Sequence, residues 1–288
     1  MQPFAYAAPS SVKEAVEILT KHGDKARPMA GGTDLLVQIR GGRFDLDVVV
    51  DVKKIPELTQ VNNTDEGLTI GGAVPCHMLY EDTQISNIFP GLIDAATLIG
   101  GIQIQSRSGF GGNLCNSTPS ADGICQLIVH SAVAHVQGDS GTREIPVEEF
   151  CTGPGANALG KGEMLVSIFI PNQGKNFGSA YERFIPRNEM DIAVAAVGSS
   201  ILLGSDGKIQ DARIALASVG PTPVFAKKAS ASLIGKDANE ESFAEAAKIA
   251  KSECSPIEDM RVTVEQRQHL VEVITNRTLN KSLERIGG

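Results

Sequence analysis

Residues 28–36 read PMAGGTDLL and residues 109–113 read GFGGN, and the fold turns on what these two stretches do. A third stretch, Ile70-Gly71-Gly72, repeats the same junction, a short apolar run ending in paired glycines. All three lie within the first 115 residues. Glycine at the end of a strand permits positive φ and lets backbone N–H groups approach a ligand with no Cβ in the way. Successive exposed N–H groups form a concavity suited to an anion such as a pyrophosphate. Thr33, Asn113 and Ser117 add neutral hydrogen-bond donors, a way to hold such a bridge with little lysine or arginine. Taken singly, each glycine pair is an ordinary turn. Three together leave ligand binding and turn formation both open on spacing alone.

Outward from these loops the chain reads in two parts. Ser11-Val12-Lys13-Glu14 is a capping box that opens a helix ending near Gly23. Residues 27–30, 47–52 and 68–70 read as strands, the first and third running into glycine pairs. Pro75 can open a helix, residues 90–100 form another, and the glycine-, serine- and asparagine-rich stretch 106–119 reads as a loop. A short apolar helix from Asp122 and strands at 132–136 and 163–170 complete the first part. Residues 171–176, PNQGKN, are polar and aperiodic and form the linker. Beyond it, 192–203 and 213–219 read as buried strands with a hairpin turn at 204–207, followed by helices at about 223–234, 240–252 and 263–281. Strands first and helices after is an α+β pattern.

Bulk properties narrow the function. The 288 residues exceed one ordinary compact core and indicate two domains. A net charge of −8, no tryptophan and few aromatics argue against nucleic acid and against anionic membrane surfaces. No window reaches the roughly 18 apolar residues of a membrane helix. The start, Met1-Gln2-Pro3-Phe4, lacks the basic-then-apolar order of a signal peptide, so cytoplasm is the expected compartment. The cysteines, 76, 115, 125, 151 and 254, are odd in number and contain no CxxC, which argues against a disulfide framework or a metal cluster. The histidines show no metal-ligand spacing. There is no P-loop, no strand–GxGxxG–helix unit and no GxSxG elbow.

With these signatures gone, the glycine loops resemble something else. PMAGGTDLL (28–36), LTIGG (68–72), QIQSRSGFGGN (103–113) with Ser117, Pro119 and Asp122, and RFIPRNEMDIA (183–193) with ALASVGPTP (215–223) occur in the order found in one family. The chain resembles, over essentially its whole length, the FAD-binding medium subunit of the molybdenum hydroxylases, the xanthine and carbon monoxide dehydrogenase family. The resemblance implies an α+β fold: a two-subdomain FAD-binding module of the vanillyl-alcohol-oxidase (PCMH) type over residues 1–174, split near residue 55. A small C-terminal sheet covered by helices follows over 175–288.

The resemblance also implies a site. FAD contacts are expected along Pro28, Met29, Ala30, Gly31, Gly32, Thr33, Asp34 and Leu35 in the first loop. In the second they are expected at Arg107, Gly109, Phe110, Gly111, Gly112, Asn113 and Ser117, with Ile99 ahead of them. Asp122 stands where the family has an acidic FAD contact, Leu165 would line the flavin, and Arg183 stands where many members have lysine near the ring. No residue is expected to act as a catalytic acid, base or metal ligand. A molybdopterin cofactor on a large partner subunit and [2Fe-2S] clusters on a small one are implied, in an (LMS)2 heterohexamer that passes electrons through FAD to an external acceptor. One departure is plain: many members read Gly-Thr-Ile-Gly-Gly-Asn where this chain has Ser108-Gly109-Phe110-Gly111-Gly112-Asn113. That change keeps a scaffold subunit with a decayed FAD site open as a rival, beside a stand-alone flavin oxidase.

Overall fold

The structure, a computed structural model, describes residues 2–188 and 190–286. Met1 of the N-terminal stretch and Glu189 of RFIPRNEMDIA lie outside the described residues. A small parallel sheet comes first, with Val48–Asp51 between Ala5–Ala7 and Ala26–Met29. Its middle strand is buried along its whole length, as a parallel strand covered on both faces must be. The helix Val12–His22 packs Ala15, Val16 and Leu19 against it. Half of the capping box forms: Glu14 N–H donates to Ser11 Oγ at 3.3 Å, while the Glu14 carboxylate reaches past the cap and accepts from Ser10 N–H at 3.0 Å.

The second sheet is antiparallel and five-stranded, in the order Val61–Asn63, Gly67–Gly71, Met164–Pro171, Val133–Gly138, Gly141–Pro146. The last strand carries Thr142, Arg143 and Glu144 on an exposed edge, and this polarity hides it in the sequence. Helices Pro90–Ala96, Phe110–Asn116 and Asp122–Val129 share the core of this sheet through Leu92, Leu114 and Ile124. The stretch read as a loop, 106–119, therefore contains a helix, Phe110–Asn116. Glycines at 111 and 112 mask it through their low helix propensity; at Gly111 the packing against Gly72 leaves no room for a side chain.

Residues 172–176 connect to a four-stranded antiparallel sheet: Phe177–Phe184, Ala195–Leu203, Ile209–Ala217, Val224–Phe225. The hairpin at Gly204–Gly207 forms, but its second strand begins at Ile209, four residues before the apolar run, and Ala195 rather than Ile192 opens the first. The strand Phe177–Phe184 is not apparent from the sequence pattern. Helices Lys227–Leu233, Glu240–Glu253 and Val264–Glu284 cover one face.

Asp122–Val129, buried at every residue, lies against the other face of this sheet and joins the two parts. Gln126 Nε2 donates to the Ala180 carbonyl at 2.7 Å, and Ser200 Oγ donates to the Val129 carbonyl at 2.9 Å. His130 sits in the same seam, fully buried between Phe89 and Phe177. Its Nδ1 is 2.8 Å from the Gln126 carbonyl and so carries the proton, which leaves Nε2 to accept from Ser179 Oγ at 3.1 Å. Burial pushes this imidazole down to about 4 from an ordinary 6.5. As pH falls, the unfolded chain takes up the proton first, so the stability held above pH 6.5 is lost progressively toward pH 4. The loss attributable to His130 approaches about 3 kcal/mol at the acid end. Thermal midpoints between pH 7 and 4.5 should fall more steeply for the parent chain than for His130→Gln; parallel profiles would contradict this.

Candidate cofactor-binding site

The three glycine junctions of the sequence meet in space. After the strand Ala26–Met29 the chain turns through residues 30–34 into a short helix, Leu35–Arg40. A Cβ on Gly31 would overlap the Arg107 carbonyl, and Arg107 Nε returns a hydrogen bond to the Gly31 carbonyl at 3.0 Å. A Cβ on Gly111 would likewise overlap the carbonyl of Gly72, the third junction. Backbone packs directly on backbone at both points, which only glycine allows. Gly112 is different. A Cβ there would meet nothing within 4 Å, and its backbone has no positive φ. Neither packing nor a positive φ requires glycine at 112, and the residue borders open space.

That space is a cavity of about 520 Å³, within the usual range for cofactor sites. Of the residues anticipated from sequence, Pro28 through Leu35, Ile99, Arg107, Gly109, Gly111 through Asn113 and Leu165 line it. Two helix starts open into it. At Gly109, the N-cap of Phe110–Asn116, no side chain caps the helix, and the Asn113 N–H is the donor bonded back to the Gly109 carbonyl, at 3.0 Å. The N–H groups of Gly111 and Gly112 precede that first turn of bonding and are free for a ligand. Asp34 N-caps the other helix, also without a side-chain capping bond, and desolvation at the cavity raises its carboxyl above the ordinary range.

Four anticipated residues do not line the cavity. The Phe110 side chain is buried in the core, where it packs on Gly123; a Cβ at 123 would lie 2.8 Å from its ring. The bulk of Phe110 is thus absorbed behind the loop, while Ser108 and Gly109 stay on the cavity wall. Ser117 is the left-handed C-cap of the same helix, and its Oγ donates to the Leu114 carbonyl at 2.6 Å. Asp122 and Arg183 form a buried ion pair at 2.7 Å, with Tyr181 OH donating to the other Asp122 oxygen at 2.7 Å. Burial pushes the Asp122 carboxyl up, and the Arg183 guanidinium opposes that shift. Burial also pushes the Tyr181 phenol well above its ordinary value, so it is a donor here. Asn113 has a structural task too, because its Oδ1 accepts from Gly123 N–H at 3.0 Å and caps the next helix.

Sequence reasoning missed the charge around the cavity. Arg27, Arg43 and Lys161 join Arg107 on its wall, against Asp24, Asp34 and Glu163. Glu163 is already held by Arg143 through two hydrogen bonds of 2.7 Å, so cations are in excess. The expectation of few basic groups is therefore corrected. Arg27 and Arg43 both lie over the Phe44 ring, at 5.0 and 5.4 Å, and this stacking joins three residues that no motif connects. Lys161 comes from 155–164, a segment whose lining role has no sequence signal. Among the described residues no group of His, Cys, Asp and Glu could hold a metal ion. A cavity of this size with free N–H groups, a cationic wall, apolar Ile99 and Leu165, and an open face at Gly112 fits a dinucleotide such as FAD.

Known proteins agree with that fit. Residues 2–173 match the family described as FAD binding domain in molybdopterin dehydrogenase, and residues 179–282 match the CO dehydrogenase flavoprotein C-terminal domain. The chain is 28% identical over 286 residues to a xanthine dehydrogenase FAD-binding subunit of Escherichia coli, covering 99% of this chain and 97% of that one. It is 30% identical to the caffeine dehydrogenase subunit beta of a Pseudomonas species, over 98% of this chain and 96% of the relative. Among solved structures, a chain of carbon monoxide dehydrogenase from Hydrogenophaga pseudoflava, in a form lacking the Mo-pyranopterin moiety, superposes with a TM-score of 0.94 at 30% identity, covering 99% of this chain and 100% of that one. The chain belongs to the FAD-binding medium subunits of the xanthine dehydrogenase and carbon monoxide dehydrogenase family, flavoprotein components of multi-subunit oxidoreductases.

Proposed function

We propose that this chain holds one FAD across its two glycine loops and relays electrons through it. They would come from [2Fe-2S] clusters on a small partner subunit, after substrate oxidation at a molybdopterin cofactor on a large one, and leave to an external acceptor such as NAD⁺ or a quinone. The observation that carries the reading is Gly112, which lines the cavity although neither protein packing nor a positive φ requires a glycine there. The N–H groups of Gly111 and Gly112 and the residues 31–34 would receive the pyrophosphate, with Arg107 and the cationic wall adding charge. Ile99 and Leu165 would give the flavin an apolar contact. Phe110, Ser117, Asp122 and Arg183 would act from behind these walls: Phe110 and Ser117 set the second-loop helix, and the Asp122–Arg183 pair fixes the helix that follows it.

Bound FAD supplies redox chemistry that exchanges electrons singly or in pairs; the protein supplies binding, orientation and electrostatics. The chain itself needs no proton-transferring residue for that task. Relatives named medium chains support a larger and a smaller partner chain, and subunits of this kind would assemble as an (LMS)2 heterohexamer. Its expected compartment is the cytoplasm: the five cysteines are free, and no helix among the described residues is long and apolar enough to cross a membrane. Flavin released from the purified chain or complex should amount to one FAD per chain by absorbance. A preparation that is folded, assembled and free of flavin, and that takes up none on titration, rules the proposal out.

A further inference from the structure

The two helix starts that open into the cavity belong to separate parts of the chain, and something must set their spacing. The helix Leu35–Arg40 is poorly equipped to do so. It has six residues, of which Ile39 alone is buried, and Val37 is 66% exposed. Isolated helices below about 12 residues are marginal in water, so its direction depends on tertiary ties. Gly31 holds the start of the loop against Arg107, and along the helix itself the tie to the other loop is Gln38 Nε2, which donates to Asn116 Oδ1 at 2.9 Å across 78 residues of sequence. Both side chains are half-buried at the cavity wall. Gln38 is one turn along from Asp34, and its N–H bonds the Asp34 carbonyl at 2.9 Å. Asn116 is the last residue of the second-loop helix, whose end is anchored independently. Asn157 Nδ2 donates to the Cys115 carbonyl at 2.8 Å, and Gly155 N–H donates to the Ser117 carbonyl at 2.9 Å. The anchored helix therefore supplies a fixed point, and Gln38 ties the loose helix to it.

We propose that the Gln38–Asn116 hydrogen bond is a clasp that presets the spacing of the two N–H-bearing loops, so that Gln38 and Asn116 are positioning residues for FAD rather than contacts to it. The inference rests on the FAD reading above. Its energetic logic is pre-organisation. With the clasp, most chains are ready to bind; without it, only the fraction that samples the right spacing binds, and apparent affinity falls by that fraction. The bond is a single neutral one, so the expected loss is about fivefold in Kd. Since either side chain alone is useless without the other, the two losses should not compound.

The test is FAD binding to the full-length chain freed of flavin, as the parent, Gln38→Met, Asn116→Ala, the double variant and Gly112→Ala. Methionine keeps the stem of Gln38, so the fold persists. Both single variants and the double variant should weaken binding by the same factor of about five, through slower association with unchanged dissociation. Hydrogen exchange over residues 33–40 should quicken in the FAD-free variants and return to the parent level once FAD is bound. If the factors multiply, or the loss falls on dissociation, the two side chains touch FAD separately and the clasp is refuted. If Gly112→Ala weakens binding and Gln38→Met does not, the clasp alone is wrong. If the parent binds FAD and Gly112→Ala binds it equally well, the site itself is misplaced, and the clasp falls with it.

Discussion

Gly112→Ala should give a chain that is as stable as its parent without FAD and binds FAD on the order of a hundredfold more weakly, about 3 kcal/mol. Two effects of opposite sign separate here. Position 112 is in the first turn of a helix, and its Cβ would meet nothing within 4 Å. Alanine is the better helix former by up to about 1 kcal/mol, so the apo fold gains or holds. On the FAD reading, the new methyl group at this cavity-lining position would keep a phosphate from the free N–H groups. Gly112→Val should abolish binding. The neighbouring Gly111→Ala should behave in the opposite way and lower apo stability, since its Cβ would be driven into the Gly72 carbonyl. Thermal unfolding with and without FAD distinguishes the two glycines. Equal FAD affinity in the parent and Gly112→Ala would contradict the assignment.

Arg183→Met should destabilise the chain by about 3–5 kcal/mol at neutral pH, because it strands the Asp122 carboxylate in the core. The Arg183 and Asp122 side chains retain only 6% and 10% exposure, so solvent offers little relief. The sign of the pH dependence follows from Asp122. Burial already pushes its carboxyl up, and Arg183 is the main group pulling it back. Without Arg183 the native carboxyl takes up a proton at higher pH than in the unfolded chain. The deficit should therefore be smallest in acid and grow as pH rises through the native pKa. Urea unfolding at pH 5 and pH 8 measures both values. A deficit independent of pH would mean that Asp122 is already neutral beside Arg183. Asp122→Asn with Arg183→Met should recover part of the loss, as removing both charges ends the imbalance.

Much of this architecture was legible because local chemistry and packing point the same way. Ser11 and Glu14 cap the helix their spacing announces, and VVVD forms the buried middle strand its apolar run requires. The hairpin turn at 204–207 is where the glycines put it. The second-loop helix was hidden because its glycines answer to tertiary contacts, Gly111 on Gly72 and Gly112 on empty space, rather than to propensity. The edge strand Gly141–Pro146 was hidden because an exposed edge has no apolar alternation to show. At the site, the glycine walls could be read, since close approach leaves a compositional mark. The cations could not: Arg27, Arg43 and Lys161 come together only through folding, and a lone basic residue in a sequence is most often a solvated one.

The packing of Phe110 on Gly123 makes two distant positions behave as one heritable unit. The ring at 110 fits because position 123 presents no Cβ, so the sequence order that avoids a clash sets a small residue at 123 before phenylalanine at 110. The reverse order would pass through a clash beneath the second loop. Among homologues, residue size at these two sites should trade off. A chimaera that exchanges the 108–113 loop between relatives should fold only if residue 123 travels with it.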